Sequence, residues 1–238
     1  MSPPGRPKGE FRKAQPEATP VSRRTRIKIC GLTREADVDA AVAAGADAIG
    51  LVLYAKSPRA VSAARAGELA SRLPAFVTPV LLFVNASATE LAQGLAAVPQ
   101  ALLQFHGDES PEACQRGAAQ GRPYMRAARM TPELALLDFA LAHRGAAGLV
   151  LDAHVEGYGG GGKAFDWSLV PHDLPCPVVL SGGLNPANVG DGITRLRPWA
   201  VDVSSGVESG KGLKDAQLMR QFCAAVRAAD ARLAEQNG

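Results

Sequence analysis

Short apolar runs and amphipathic stretches alternate along this chain from residue 26 almost to its end. Residues 26–30 are a short apolar run. Residues 34–44 follow with helix-forming residues, apolar at Ala36, Val38, Ala41 and Val42, and Gly45 as a stop. Residues 47–53 are almost continuously apolar, the signature of a strand buried on both faces. The same pair of elements then recurs. Strands are predicted over 76–84, 101–105, 123–127, 148–152, 178–181 and 200–203. Helices are predicted over 62–72, 87–97, 111–119, 131–142, 186–195 and 215–233, with Ser62 as an N-cap and Thr131-Pro132 as a cap and first helical residue. Between the sixth and seventh strands comes a glycine-rich loop to Lys163 and a short helical piece near Asp166.

Strands alternating with helices imply parallel strands joined by right-handed crossovers. Eight such units in about 210 residues predict an α/β fold, a single (β/α)₈ TIM barrel over residues 26–238. A doubly wound open sheet would carry a nucleotide fingerprint after its first strand, and Gly31-Leu32-Thr33-Arg34 does not match it.

Residues 1–25 break the pattern. The first 26 residues contain five prolines, seven basic and two acidic residues, a net +5 that leaves −2 for the rest of a chain carrying +3. The basic excess therefore lies in a leader expected to be disordered, and the nearly neutral folded part offers no face for nucleic acid. No apolar run approaches the roughly 20 residues that span a bilayer, so no membrane partner is expected. Cys30, Cys114, Cys176 and Cys223 are far apart, and the four histidines show no ligand spacing. This argues against a zinc site or a disulfide framework and for a reducing, cytoplasmic location.

In such a barrel, chemistry sits at the C-terminal ends of the strands. Those positions hold Cys30, Leu53-Tyr54, Asn85, His106, Arg126, Asp152, Ser181-Gly182-Gly183 and residues 202–206. Gly182, Gly183, Ser204, Ser205 and Gly206 follow strands seven and eight, where exposed backbone N–H groups and a helix N-terminus favour a phosphate. Cys30 reads either as a small buried hydrophobe or as a base or nucleophile. Asp152 closes an apolar strand and reads either as a loop cap or as a catalytic carboxylate, and Asp202 is a second inward candidate. Gly157 to Lys163 has the spacing of a P-loop, but Ala164 stands where a hydroxyl should bind magnesium, so a mobile lid is the better reading.

These residues together resemble the phosphoribosylanthranilate isomerase family. The match runs through Lys28-Ile29-Cys30-Gly31-Leu32-Thr33, residues 45–50, Lys56-Ser57-Pro58-Arg59, residues 82–85, 103–109, 163–167 and 180–186, and residues 201–208. The resemblance covers about residues 26–224. It implies Cys30 as general base and Asp152 as general acid, and Arg59 as the residue holding the anthranilate side of the substrate. It also implies Gly182, Gly183, Ser204, Ser205 and Gly206 as phosphate loops, with Gln104, His106 and Asp202 lining the site. Gly161 replaces the hydroxyl residue usual in the family's lid, Ala55 stands where proline is common, and the leader is additional.

The implied reaction is an Amadori rearrangement of an aminoaldose phosphate to an aminoketose in tryptophan biosynthesis. It is internally redox-neutral, so no cofactor and no metal are expected, and a monomer or homodimer is. Three other readings compete. The analogous isomerase of histidine synthesis would use an aspartate pair where Cys30 stands. A non-catalytic sugar-phosphate-binding barrel would need neither Cys30 nor Asp152. A P-loop nucleotide binder is opposed by Ala164.

Overall fold

A computed structural model describes residues 24–119, 121–153, 164–171 and 173–236. Eight parallel strands close into a barrel in sequence order: β1 (Arg26–Cys30), β2 (Ala48–Val52), β3 (Thr78–Phe83), β4 (Leu102–Phe105), β5 (Tyr124–Met130), β6 (Gly148–Ala153), β7 (Val178–Leu180) and β8 (Ala200–Val203). The ring is completed by β8 pairing with β1 through Lys28↔Asp202 and its neighbours. Outside lie α1 (Glu35–Ala44), α2 (Ala63–Ala70), α3 (Ala88–Ala97), α4 (Pro111–Gly117), α5 (Leu136–Ala142), α6 (Val189–Leu196) and α7 (Ala216–Glu235). Between β6 and β7 the described residues contain only a 3₁₀ turn, Trp167–Leu169, capped by Asp166. A small antiparallel hairpin, β9 (Glu208–Gly210) and β10 (Leu213–Lys214), precedes α7.

Side chains alternate across each strand, so one set faces the helices and the other the barrel interior. Ile27, Ile29, Ile49, Leu51, Leu81, Phe83, Leu103 and Phe105 belong to the outer set. They pack against Val38, Leu69, Val189, Ile193, Met219 and Phe222 of the helices. Each large side chain buried this way contributes about 1.5–3 kcal/mol. The interior differs between its two ends. Val80, Met125, Ala127, Val150, Val179 and Ala200 make an apolar floor. Above it stand Lys28, Gln104, His106, Asp152, Ser181 and Asp202, polar and buried.

Local signals account for most element ends. Ser62 caps α2 by accepting from the Arg65 N–H, Ser87 and Glu90 form a capping box on α3, and Pro111 opens α4 behind Ser110. Gly45 ends α1 in the left-handed region.

Three predicted starts shift by two residues or more. β3 begins at Thr78 rather than 76, because Phe76 takes a left-handed φ of 72° and projects into solvent. The predicted helix over 131–142 begins only at Leu136. β5 keeps pairing with β6 as far as Met130↔Ala153, and residues 131–134 form a single turn that redirects the chain. The predicted helix over 186–195 begins at Val189, because the Asn185 side chain accepts from the Ala187 N–H and the Asn188 side chain from the Asn185 N–H, closing a turn first.

The leader assigned to residues 1–25 lies, up to residue 23, outside the described residues, as does the lid assigned to 157–163. Arg24 and Thr25 are part of the fold. Arg24 pairs with Asp47, and the Thr25 N–H and hydroxyl both donate to Asp230 of α7 at 2.7 Å. Among the described residues no helix is long and apolar enough to cross a membrane.

His143 follows α5 and is buried against Phe139, ring centroids 4.5 Å apart. Burial, reinforced by the nearby Arg126 cation, pushes its pKa down to about 4. Unfolding releases it to about 6.5, so the unfolded chain binds the proton first and stability falls as the pH drops from about 6.5 towards 4. Urea midpoints at pH 7 and pH 5 should therefore differ more for the parent chain than for His143→Gln, which has nothing to titrate there. An equal drop in both would remove His143 as the cause.

Candidate active site

The polar end of the interior opens into a cavity at the C-terminal ends of the strands. Of the residues expected at a site, Cys30, Arg59, Gln104, His106, Asp152, Gly182, Gly183, Asp202, Ser204 and Ser205 all line it. Gly206 does not. A Cβ on it would meet the Leu184 carbonyl oxygen at 1.9 Å, so its place is the seam between the loops after β7 and β8.

Two other strand-end candidates also lie elsewhere. Arg126 is not terminal, since β5 runs on to Met130. Its buried guanidinium donates to the carbonyl oxygens of Phe105, Gly107 and Ala127, outside the cavity lining. Asn85, left-handed with φ 49°, ties the loop after β3 to the loop after β4. Its N–H donates to Glu109, and its side-chain oxygen accepts from the Asp108 N–H.

The base of the cavity is ionic. Lys28 Nζ donates to Asp202 Oδ2 at 2.9 Å, with both side chains almost fully enclosed. Among the described residues Asp202 Oδ1 has no hydrogen-bond partner. Burial works against the Lys28 ammonium, but Asp202 and the Cys30 sulfur outweigh it and hold the amine charged. Removing one member of a buried pair costs about 3–5 kcal/mol, because the other charge is left uncompensated. Cys30 stands two residues above Lys28 on the same face, among Val52, Leu82 and Val84. Burial pushes its thiol up from the usual range, against the pull of Lys28.

Across the cavity Gln104 Nε2 lies 2.9 Å from His106 Nδ1, and His106 Nε2 lies 3.0 Å from Asp152 Oδ2. An amide nitrogen only donates, so with this amide orientation Nδ1 accepts and the ring proton sits on Nε2, facing Asp152. The chain of contacts fixes the ring and, through it, one oxygen of Asp152.

Gly182 and Gly183 both take left-handed φ, 74° and 68°, and a Cβ on Gly182 would meet the Ala153 nitrogen at 2.2 Å. Only glycine gives this tight turn beside β6. With α6 starting later than expected, an anion here is offered these backbone N–H groups and the short 3₁₀ turn Ser205–Val207 rather than a long helix N-terminus.

Sequence reasoning missed three residues that hold the site together. Glu208 accepts from Arg59 Nε and Nη2 at 2.6 and 2.8 Å and from Lys214 at 2.8 Å. Burial alone would raise the Glu208 carboxyl, but these two cations hold it below its ordinary range. Lys214 also donates to the backbone and hydroxyl oxygens of Ser204, and the Ser204 hydroxyl donates to the Cys30 carbonyl. Lys28 and Glu208 lie inside motifs already singled out, where two-residue spacing from Cys30 and Gly206 was the available signal. Lys214 had none.

The family model for N-(5'phosphoribosyl)anthranilate (PRA) isomerase matches residues 27–225. The chain is 69% identical over 209 residues to the N-(5'-phosphoribosyl)anthranilate isomerase of Leptothrix cholodnii, covering 88% of this chain and 94% of that one. It is 59% identical over 203 residues to that of Pseudomonas aeruginosa, covering 85% and 95%. The phosphoribosyl anthranilate isomerase structure from Thermotoga maritima superposes with a TM-score of 0.79 at 39% identity, covering 86% of this chain and 99% of that one. Another such isomerase, solved in complex with reduced 1-(o-carboxyphenylamino)-1-deoxyribulose 5-phosphate, gives 0.76 at 37% identity, with coverage of 86% and 99%. With its barrel closed in the same way and nearly its whole folded length matched, the chain belongs to the N-(5'-phosphoribosyl)anthranilate isomerase family.

Proposed function

We propose that Cys30 and Asp152 are the general base and general acid of an N-(5'-phosphoribosyl)anthranilate isomerase, with the substrate phosphate on the loops after β7 and β8. The chain is an enzyme of tryptophan biosynthesis, an aldose–ketose isomerase that carries out an Amadori rearrangement. The observation that carries the residue assignment is that one cavity gathers a thiol, a carboxyl group and two glycine- and serine-rich loops.

Each step needs one of these groups. Protonated Asp152 donates to the furanose ring oxygen as the C1'–O bond breaks, and the anthranilate nitrogen lone pair forms the C1'=N bond. Cys30, as thiolate, takes the hydrogen on C2', and the electrons move to C1'=C2', giving an enolamine. Return of a proton to C1' and loss of the 2'-hydroxyl proton complete the aminoketose, with no net change in atoms or electrons. Arg59 is suited to the anthranilate carboxylate. Gln104 and His106 orient Asp152, and Asp202 lines the base of the cavity beside Lys28. Each positioned proton transfer contributes ~10²–10⁴-fold. The pair is thiol and carboxyl rather than two carboxyls, which favours this reaction over the related isomerisation in histidine synthesis. Free thiols fit a cytoplasmic enzyme. The domain reading is a leader before the first strand and one catalytic barrel after it.

Turnover is followed as loss of anthranilate fluorescence on adding phosphoribosylanthranilate, with no cofactor supplied. Cys30→Ala and Asp152→Asn should each lower kcat by at least ~10²-fold with modest change in KM, while Cys114→Ala and Cys223→Ala remain active. Near-normal turnover by Cys30→Ala would end its assignment as base. A rise in KM alone in Asp152→Asn would make that residue a binding group.

Inorganic sulfate should compete with substrate. Ser205→Asp, which sets a like charge against the phosphate, should raise KM by ~10-fold or more and move stability less. An unchanged KM, with no competition by sulfate, would put the phosphate elsewhere.

A further inference from the structure

We propose that Lys28 is the positioning residue that stabilises the Cys30 anion when it forms, with Asp202 anchoring the Lys28 ammonium beneath the sulfur. A cysteine at the mouth of an apolar cup is a poor base unless something stabilises its anion. Val52, Leu82, Val84 and Tyr54 pack around Cys30 and withhold water from it. A Cβ on Gly50 would meet the sulfur at 2.5 Å, so the thiol is also seated against the backbone of β2. The compensation has to come from a fixed cation.

Lys28 has the geometry for it. Parallel pairing sets Lys28 opposite Asp202, and the two-residue period sets Cys30 directly above Lys28 on the interior face. The ammonium donates to Asp202 at 2.9 Å, on the interior face directly below Cys30. A buried lysine has three donors to satisfy. Here one donor goes to Asp202, and an anionic sulfur on the same face would complement the remaining charge better than a neutral thiol.

The other charged groups around the sulfur are engaged elsewhere. Arg59, after β2, and Lys214, on β10, both turn to Glu208 and act on Cys30 only through space. His106 of the loop after β4 faces Asp152 of β6. Asp202 of β8 opposes ionisation of the thiol as a like charge and supports it by holding Lys28 in place.

The two residues therefore have opposite electrostatic effects on one sulfur, and this gives the test its sign. Cys30 is alkylated with iodoacetamide over a range of pH in the intact chain without substrate, and its adduct is quantified by mass spectrometry of the Cys30 peptide. Lys28→Met should raise the pH midpoint of alkylation by about one unit or more, and lower kcat ~10-fold or more with KM changed less. Lys28→Arg, which keeps the charge, should recover part of both. Asp202→Asn should lower the midpoint.

If Lys28→Met does not fold because it strands Asp202, the neutral double variant Lys28→Met/Asp202→Asn serves instead and must also titrate above the parent. An unmoved midpoint in the lysine variants, or lysine and aspartate variants moving it the same way, would overturn the proposal. A purely structural Lys28 would lower activity without shifting the sulfur's titration. The inference rests on Cys30 being the base. Alkylation is read without turnover, so a failure of that assignment shows in the Cys30→Ala kinetics and not here.

Discussion

Closing a parallel sheet into a ring forces every second side chain of eight strands into a space that water barely enters. Everything else about this molecule follows from how that space is filled. At one end the answer is hydrocarbon, with Val80, Met125, Val150 and Val179 packed as a floor. At the other end the interior positions are polar. A buried polar group costs several kcal/mol without a partner, so each must be matched to another. Lys28 meets Asp202, Gln104 meets His106, and His106 meets Asp152. The pairs that make the mouth tolerable are the same groups that can move protons there.

Much of this was legible in the sequence because the signals were local or periodic. Apolar runs separated by helical stretches announce eight parallel strands, and a serine or glycine at the right offset marks where helices such as α2 start and α1 stops. Cys30, Asp152 and the small residues after β7 and β8 could be picked out because strand ends in such a barrel point into one cavity. The start of α5 was not legible. Thr131-Pro132 is a sound helix opening by local rules, but β5 gains more by pairing with β6 through Met130. Propensity yields to the ladder there. Arg126 was misread for the same reason, since a longer β5 makes it a mid-strand residue.

The partners of the site residues were harder still. Nothing near position 214 says that a lysine on a two-residue strand reaches back to Ser204 and Glu208. Its position depends on the β9–β10 hairpin, where it stands opposite Glu208, a pairing of segments the local pattern treats as loop. The Lys214–Glu208 pair waits on the hairpin, and Lys28–Asp202 on the closing of the ring.

Glu208 is shared. Arg59, which lines the cavity, and Lys214, which stands behind its lining, both donate to it, and Lys214 in turn holds Ser204 of the lining. Whatever draws Arg59 towards a ligand loosens its hold on Glu208 and leaves that carboxylate more to Lys214. Whatever pulls on Ser204 is felt at Arg59 by the reverse route. The two ends of the cavity are thus not independent. Residues joined in one ion network couple, and their effects do not add. Two fragments that each occupy one end of this site will not have binding free energies that sum to that of the joined molecule, and the difference will measure how stiffly one carboxylate ties the two ends together.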